Sequence, residues 1–101
     1  MSKRNKNIFI WDKGNKDKNV SLHNVTNKES EELFEDDNKV LFSDIKHSSE
    51  EEERYVVIGK TKTGRLLYQV FTIRDGKVRV ISSRDANRRE VPYYEKKINT
   101  T

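Results

Sequence analysis

Residues 54–84 read RYVVIGKTKTGRLLYQVFTIRDGKVRVISSR, and the fold turns on how they pair. Runs 54–60, 65–74 and 77–84 are rich in Val, Ile, Leu, Tyr, Phe and Thr, residues that suit a pleated surface. Asp75-Gly76 is the pair that a two-residue hairpin loop demands, because both positions take the left-handed conformation. Gly64 supplies that conformation in a three-residue turn closed by Thr61 and Arg65. The stretch therefore predicts a three-stranded antiparallel meander over 53–84. On the first turn Arg74 pairs with Lys77, Thr72 with Arg79, Val70 with Ile81 and Tyr68 with Ser83. On the second, Ile58 pairs with Tyr68, Val56 with Val70 and Arg54 with Thr72. Paired residues share a side. One face then carries Tyr55, Val57, Leu67, Phe71, Ile73, Val78 and Val80 and is expected to be the core face under helices. The other carries Arg54, Thr72 and Arg79 in a row and is expected to be open. A slip of one residue would exchange the faces.

Working outward, the third strand runs into arginines at 84, 88 and 89. Asp85 is expected to cap a C-terminal helix, which Pro92 should kink or delay because it lacks an N–H. Before the meander, Ile8–Trp11 reads as a short strand and Asp12–Asn15 as a turn. Asn15–His23 reads as a helix ended by Asn24, a residue that tolerates the left-handed region. Thr26-x-x-Glu29 is a capping box, so a second helix should start at Asn27, turn Leu33 and Phe34 inward and stop near Asp36-Asp37. Val40–Phe42 reads as a short strand and 43–52 as a loop. The expectation is one α+β domain with frayed ends at 1–7 and 98–101.

The 101 residues are 32% hydrophobic and 38% charged. The core must be small and concentrated in 53–82. No apolar run approaches the roughly eighteen residues of a membrane span, and no hydrophobic region follows the basic start as in a secretory signal. A cytoplasmic protein is expected. The absence of cysteine excludes disulfides, thiolate ligands and cysteine nucleophiles. Two histidines without metal-ligand spacing predict no structural zinc, and neither a metal nor another cofactor is expected. Charge is strongly divided. Residues 29–53 hold eleven Asp/Glu against two Lys, whereas residues 60–97 hold eleven Lys/Arg against four acids. The division fits a basic face for a polyanion with the acidic segment kept away from it; it also fits an ordinary mixed surface.

Arg54 and Arg79 flanking Thr72 would form a phosphate cradle, since guanidinium offers a planar fork of donors that never loses its charge. Opposite side chains on neighbouring strands have Cβ atoms about 4.5–5.5 Å apart, so cations in one row repel unless an anion lies between them. Tyr68 would stack a base. On the bland reading these arginines only wet a half-buried sheet. His23 and His47 carry imidazole, the side chain most often used for proton transfer, or simply end a helix and sit in a loop. Glu50–Glu53 reads as a solvated loop and Trp11 as a core residue. Glu90 and Tyr94 share one side of the last helix.

An ordered set of pieces runs through residues 8–95: Phe9-x-Trp11-Asp12, Asn19-x-x-x-His23-x-Val25, Phe34-x-Asp36, Asp44-x-x-His47-Ser48, Glu53-Arg54-Tyr55, Ile58-Gly59, Gly64-Arg65-Leu66-Leu67, Arg79-Val80-Ile81-Ser82-x-Arg84-x-Ala86, Arg89-Glu90 and Tyr94-Glu95. The set resembles the BrnT toxins. The resemblance implies a RelE-like fold and a type II toxin that arrests growth by cutting RNA. It implies a BrnA-type ribbon–helix–helix antitoxin as partner, in a complex of two toxins and two antitoxins that touches DNA only through the antitoxin. Cleavage would proceed by attack of the RNA 2′-hydroxyl on the adjacent phosphate. That chemistry needs a base, an acid and a cation for the pentacoordinate phosphate, and no metal. Arg54 and Arg79 are the candidates for charge stabilisation, and His23 or Glu90 for proton transfer. Tyr68, Thr72, Arg84, Arg88, Lys16 and Lys18 are the candidates for RNA binding. The alternative is a degenerate relative that only binds its antitoxin or RNA.

Overall fold

A computed structural model describes residues 7–99. Its strands are β1 (Phe9–Ile10), β2 (Val40–Ser43), β3 (Arg54–Lys60), β4 (Leu66–Arg74) and β5 (Lys77–Asp85). They form one five-stranded sheet in the order β1-β5-β4-β3-β2. The helices are α1 (Lys18–His23), α2 (Asn27–Glu32) and α3 (Val91–Asn99). The class is α+β as expected, but the sheet is larger and mixed. β1 lies parallel to β5, and β2 joins the far edge antiparallel to β3, with Val40 opposite Ile58 and Phe42 opposite Val56.

The meander forms where the turn chemistry puts it. Asp75 and Gly76 both take positive φ (55° and 74°), as does Gly64 at 90°. The Gly64 turn is closed by Thr61 N–H to the Arg65 carbonyl at 2.9 Å and by Arg65 N–H to Thr61 Oγ1 at 3.1 Å. β3 and β4 pair as the sequence predicts: Arg54 with Thr72, Val56 with Val70 and Ile58 with Tyr68. β4 and β5 begin in the expected register, Arg74 with Lys77 and Thr72 with Arg79, and then shift. Val80 pairs with Phe71 but Ser82 pairs with Val70, which leaves Ile81 unopposed in a bulge. The expected pairs Val70–Ile81 and Tyr68–Ser83 therefore do not form. Two amides hold the bulge. Asn15 Nδ2 donates to the Val80 carbonyl at 3.1 Å, and Asn19 Oδ1 accepts the Ser83 N–H at 2.9 Å. Beyond the bulge Ser83 faces the helices and Arg84 sits opposite Tyr68.

α1 starts three residues later than expected. Asn15 is buried, with its side chain bonded to the Ile10 and Val80 carbonyls and the Asp12 N–H, and Asp17 is left-handed at φ 58°. Asn24 ends α1 at φ 55°, and the Thr26–Glu29 capping box starts α2 as predicted. A 3-10 turn over Leu33–Glu35 then ends the helix at Asp36. α1, α2 and this turn cover the first sheet face. There Val25, Leu33 and Phe34 pack on Val57, Leu67, Phe71, Val78 and Val80, with Phe9, Trp11 and Tyr55 at the edge. Trp11 also donates Nε1–H to Glu31 Oε2 at 2.7 Å.

The second face is only partly open. α3 lies across its β2–β3 side, and Val56, Ile58 and Tyr94 are buried there against Val40, Leu66, Tyr68 and Val70. Asp85 does not cap this helix; it ends β5 and is held by Arg65 Nε at 2.7 Å. Asn87 organises the entry instead, its Oδ1 accepting the N–H groups of Arg89 and Glu90 at 2.9 and 3.1 Å. Pro92 falls in the first turn of α3, where its missing N–H has no helical partner to lose. Asp36 ties the two layers together. Its Oδ2 accepts Lys60 N–H at 2.8 Å and the Tyr94 hydroxyl at 2.7 Å. Burial pushes this carboxyl up, but those bonds, one from Asn38 N–H and the nearby Lys39 hold it below the usual range. Tyr94 is correspondingly pushed up by burial and by Asp36. Of the ends expected to fray, residues 1–6 and 100–101 lie outside the described residues, and Ile98 and Asn99 belong to α3. Among the described residues no helix is long and apolar enough to cross a membrane.

Candidate nucleic-acid interface

The uncovered part of the second face is a cleft floored by β4 and β5 and walled by the segment that enters α3. The bulge decides what it contains. By shifting the register it turns Arg84 onto this face, with the guanidinium carbon 4.4 Å from the centroid of Tyr68. Glu90 grips the same guanidinium through two parallel bonds, Nη1 to Oε1 and Nη2 to Oε2, both 2.8 Å. Glu90 Oε1 also accepts the Asn87 N–H at 2.9 Å. Burial pushes the Glu90 carboxyl up, but Arg84 and Asn87 outweigh it and hold the group below the usual carboxylate range. Glu90 is thus ionised at neutral pH and able to accept a proton. Tyr68 is pushed up by burial and by the Glu90 and Asp44 carboxylates, so its hydroxyl keeps its proton. Beside this group lies a pocket of about 370 Å³ lined by Phe42, Ile58, Tyr68, Arg89, Glu90 and Tyr93. Phe42 and Tyr93 face one another across it with ring centroids 6.0 Å apart.

At the other end of the cleft, Arg54, Thr72 and Arg79 do form one row across three strands. Their surroundings differ from the expectation in two respects. First, Arg54 and Arg79 flank β4 on opposite sides, so their backbones are roughly 9–10 Å apart, twice the strand spacing, and the guanidinium groups are not forced together. Each has its own carboxylate: Glu52 at 3.2 Å from Arg54, and Asp12 at 3.1 Å from Arg79. Arg79 also lies against Gly14, where an added Cβ would come within 2.7 Å of its Nη2. Second, the acidic segment is not kept away. Glu52 bridges Arg54 and Arg74, the latter at 3.4 Å, and the buried Thr72 donates its hydroxyl to the Glu53 carbonyl at 2.7 Å. These acids neutralise cations at the end of two strands, which outweighs the repulsion that the charge division alone would suggest.

The turn between β2 and β3 adds a pair that the sequence shows only as Asp44-x-x-His47-Ser48. His47 Nδ1 lies 3.1 and 3.0 Å from the two carboxylate oxygens of Asp44. The Asp44 side chain is 15% exposed and that of His47 60%. Asp44 N–H donates to the Arg54 carbonyl at 2.7 Å, and Ser48 Oγ accepts the Arg54 N–H at 2.8 Å. The backbone of Arg54 therefore clamps the turn that carries this imidazole. His23, by contrast, ends α1 on the first-face side of the sheet, where its carbonyl accepts a bond from Arg65 at 3.2 Å. Lys16 and Lys18 are exposed at the start of α1 on the same segment. The structure thus gathers Arg54, Tyr68, Thr72, Arg79, Arg84 and Glu90 on one face, places exposed Arg88 at its rim, and leaves His23, Lys16 and Lys18 elsewhere. The sequence feature that sets His47 apart from His23 is the acid three residues before it, which orients the ring.

The model of a family described as the ribonuclease toxin, BrnT, of type II toxin–antitoxin systems matches residues 11–90. That span holds every cleft residue named above except Tyr93. No curated protein matches the chain.

Proposed function

The chain belongs to the BrnT family of ribonuclease toxins of type II toxin–antitoxin systems, and from that premise we propose that it cuts single-stranded RNA in the cleft on the second sheet face, without a metal ion. The observation that carries this reading is Arg84, a cation fixed over an aromatic ring by a bidentate bond from Glu90. Aromatic rings beside arginine suit an unstacked base and its phosphate.

In this mechanism ionised Glu90 takes the proton of the 2′-hydroxyl. The 2′-oxygen bonds to phosphorus, and Arg84 faces the charge that develops on the pentacoordinate phosphate, with Arg54 at the far end of the cleft for a neighbouring phosphate. The bond from phosphorus to the 5′-oxygen then breaks. His47, oriented through Nδ1 by Asp44, gives that oxygen a proton. The products are a 2′,3′-cyclic phosphate and a 5′-hydroxyl. Arg79, Arg88 and Arg89 hold neighbouring phosphates, and His23 has no part. The antiparallel meander flanked by helices supports a RelE-like reading of the fold. In the cytoplasm the activity arrests growth until the protein antitoxin that the family implies, here a BrnA-like ribbon–helix–helix protein in a complex of two copies each, blocks it. The alternative is a module that binds RNA or antitoxin without cutting. Glu52 and Asp12, which already occupy Arg54 and Arg79, favour that second reading.

The test is cleavage of single-stranded RNA in excess EDTA, with products identified by mass. Arg84→Ala should slow cleavage by about 10²–10³-fold, the usual loss when one donor to a developing oxyanion is removed. Arg84→Lys should recover little, because an ammonium lacks the planar fork. Loss of cleavage in EDTA would refute the metal-free reaction. Full activity in folded Arg84→Ala would refute the site, and RNA binding without cutting would establish the alternative.

A further inference from the structure

The first sheet face is not covered to its end. A shallow apolar groove of about 350 Å³ opens there, lined by Leu41, Phe42, Ser43, Tyr55, Phe71 and Ile73. Leu41 and Ile73 are about half exposed, at 53% and 48%, and neighbouring Ile45 is 83% exposed. The core reaches the surface at this point. Phe34, Phe71 and Tyr55 form a chain of ring contacts at 5.0 and 5.5 Å that ends in the groove. β2, which forms one side of the groove, is the edge strand of the sheet. Large apolar side chains gathered on an edge are costly to leave in water and mark a docking surface.

A second groove continues from the first. It measures about 320 Å³, is polar, and is lined by Glu50–Glu53, Thr72 and Arg74 together with Tyr55 and Ile73, which both grooves share. Glu52 is engaged with Arg54 and Arg74, and Glu53 accepts the Tyr55 hydroxyl at 3.1 Å. Glu50 and Glu51 are exposed and form no ion pair among the described residues. The combined surface is therefore apolar along one side and anionic along the other. The complement is a helix about 10–12 Å across with an apolar stripe and a basic flank. A type II system supplies a protein partner for the toxin, and exposed Glu50 and Glu51 favour a basic partner over RNA along this edge.

We propose that these joined grooves seat the antitoxin, through a basic amphipathic helix whose apolar side chains lie on Leu41, Tyr55 and Ile73 and whose Lys or Arg side chains face Glu50 and Glu51. The apolar groove lies on the opposite side of the sheet from the cleft, whereas the anionic groove reaches the Arg54–Thr72 end of it, so the apolar variant separates antitoxin docking from the cleavage mechanism proposed above. The experiment is calorimetric titration of the purified toxin with the purified antitoxin expressed from the adjacent gene, alongside RNA cleavage by each free toxin variant. Leu41→Asp/Ile73→Asp should weaken antitoxin binding at least 100-fold. Glu50→Lys/Glu51→Lys should weaken it at least tenfold, and Leu41→Asp/Ile73→Asp should leave cleavage by the free protein unaltered. Sedimentation of the toxin alone tests the rival occupant: a wild-type dimer that Leu41→Asp/Ile73→Asp makes monomeric would show a self-interface and overturn the proposal. Antitoxin affinity within twofold of wild type in both variants would also overturn it. If circular dichroism shows that the apolar variant is unfolded, the charge-reversal variant, altered only on an exposed loop, decides alone.

Discussion

On the first sheet face Val57, Leu67, Phe71, Val78 and Val80 meet Val25, Leu33 and Phe34 from the helical segment, and the polar groups beside them are mostly amides and hydroxyls, with Glu32 of α2 the one buried carboxylate among the described residues. Asn15, Asn19, Ser30, Gln69 and Ser83 are buried there, bonded to backbone or to one another. On the second face Val56, Ile58 and Tyr94 are the enclosed apolar side chains among the described residues, and the cleft beside them holds charge pairs: Arg54–Glu52, Arg79–Asp12 and Arg84–Glu90. The difference is one of exchangeability. A buried amide cannot release its partner without leaving a polar group unsatisfied, at about 1–3 kcal/mol. A half-exposed ion pair contributes about 0–1 kcal/mol, and a phosphate can take the place of the carboxylate with little loss. The first face is therefore built to persist, and the second to exchange partners.

The hardest test of that contrast is truncation on each side. Leu33 is fully enclosed, so Leu33→Ala should destabilise by about 2–5 kcal/mol through lost burial and a residual cavity. Val70→Ala, half-buried on the cleft floor, should cost less than about 1.5 kcal/mol. Urea unfolding of both variants measures the difference. Equal losses would mean that the second face is as firmly packed as the first.

Asp36 is where the two layers meet, and it sharpens the comparison by pH. Asp36→Ala removes acceptors for Lys60 N–H, Asn38 N–H and the Tyr94 hydroxyl, and should cost about 2–3 kcal/mol, as for bonds to a charged group. In the wild type the carboxyls of Asp36, Asp85 and Glu90 all lie below their ordinary values in the folded chain. Asp36 is opposed by burial and lowered by its bonds, Asp85 is lowered chiefly by Arg65, and Glu90 is opposed by burial and lowered by Arg84. Groups depressed in this way stabilise the fold above their unfolded values, about 3.9 for Asp and 4.3 for Glu, and lose that contribution as pH falls through the folded values. Melting temperature should hold through neutral pH and fall below about pH 4. In Asp36→Ala the acid-induced fall should be shallower. An acid limb identical to that of the wild type would remove Asp36 from the account.

How much of this was legible depends on whether local chemistry or a distant partner fixes each element. The Asp75-Gly76 and Gly64 turns carry their own conformational preference, so the meander, the register of β3 on β4 and the core face could all be read. The Thr26–Glu29 box is equally local. The bulge at Ile81 could not be read, because Asn15 and Asn19 create it from about 65 positions away. Its consequence reaches the site: Arg84 and Ser83 exchange faces relative to the regular register. The place of β2 on the sheet edge, the Asn87 entry to α3 and the partial cover of the second face depend in the same way on packing. The row Arg54, Thr72 and Arg79 forms in the predicted register because it lies before the bulge. The sequence does not separate His47 from His23, because two lone histidines look alike until one of them is seen against a carboxylate.

The smallest expected effect bears most directly on exchange. Glu52 bridges Arg54 and Arg74 with bonds of 3.2 and 3.4 Å, and its side chain is 31% exposed. If the second face is built to trade carboxylates for phosphates, Glu52 competes with RNA for both cations. Glu52→Gln keeps the shape and removes the charge, so RNA should bind about 2–5-fold more tightly, on the scale of the 0–1 kcal/mol that such a pair contributes. Salt separates this from a general change in surface charge. Each additional phosphate contact on a single strand steepens the log–log salt dependence of binding by about 0.7, so freeing Arg54 and Arg74 should steepen the slope by about 0.7–1.4. Glu31→Gln, which also removes one negative charge but sits on the first-face side against Trp11, should leave the slope unchanged. Fluorescence anisotropy with a short labelled RNA at several salt concentrations reads both quantities. Equal slopes in the two variants would mean that Glu52 acts only as diffuse charge and that Arg54 does not meet the substrate.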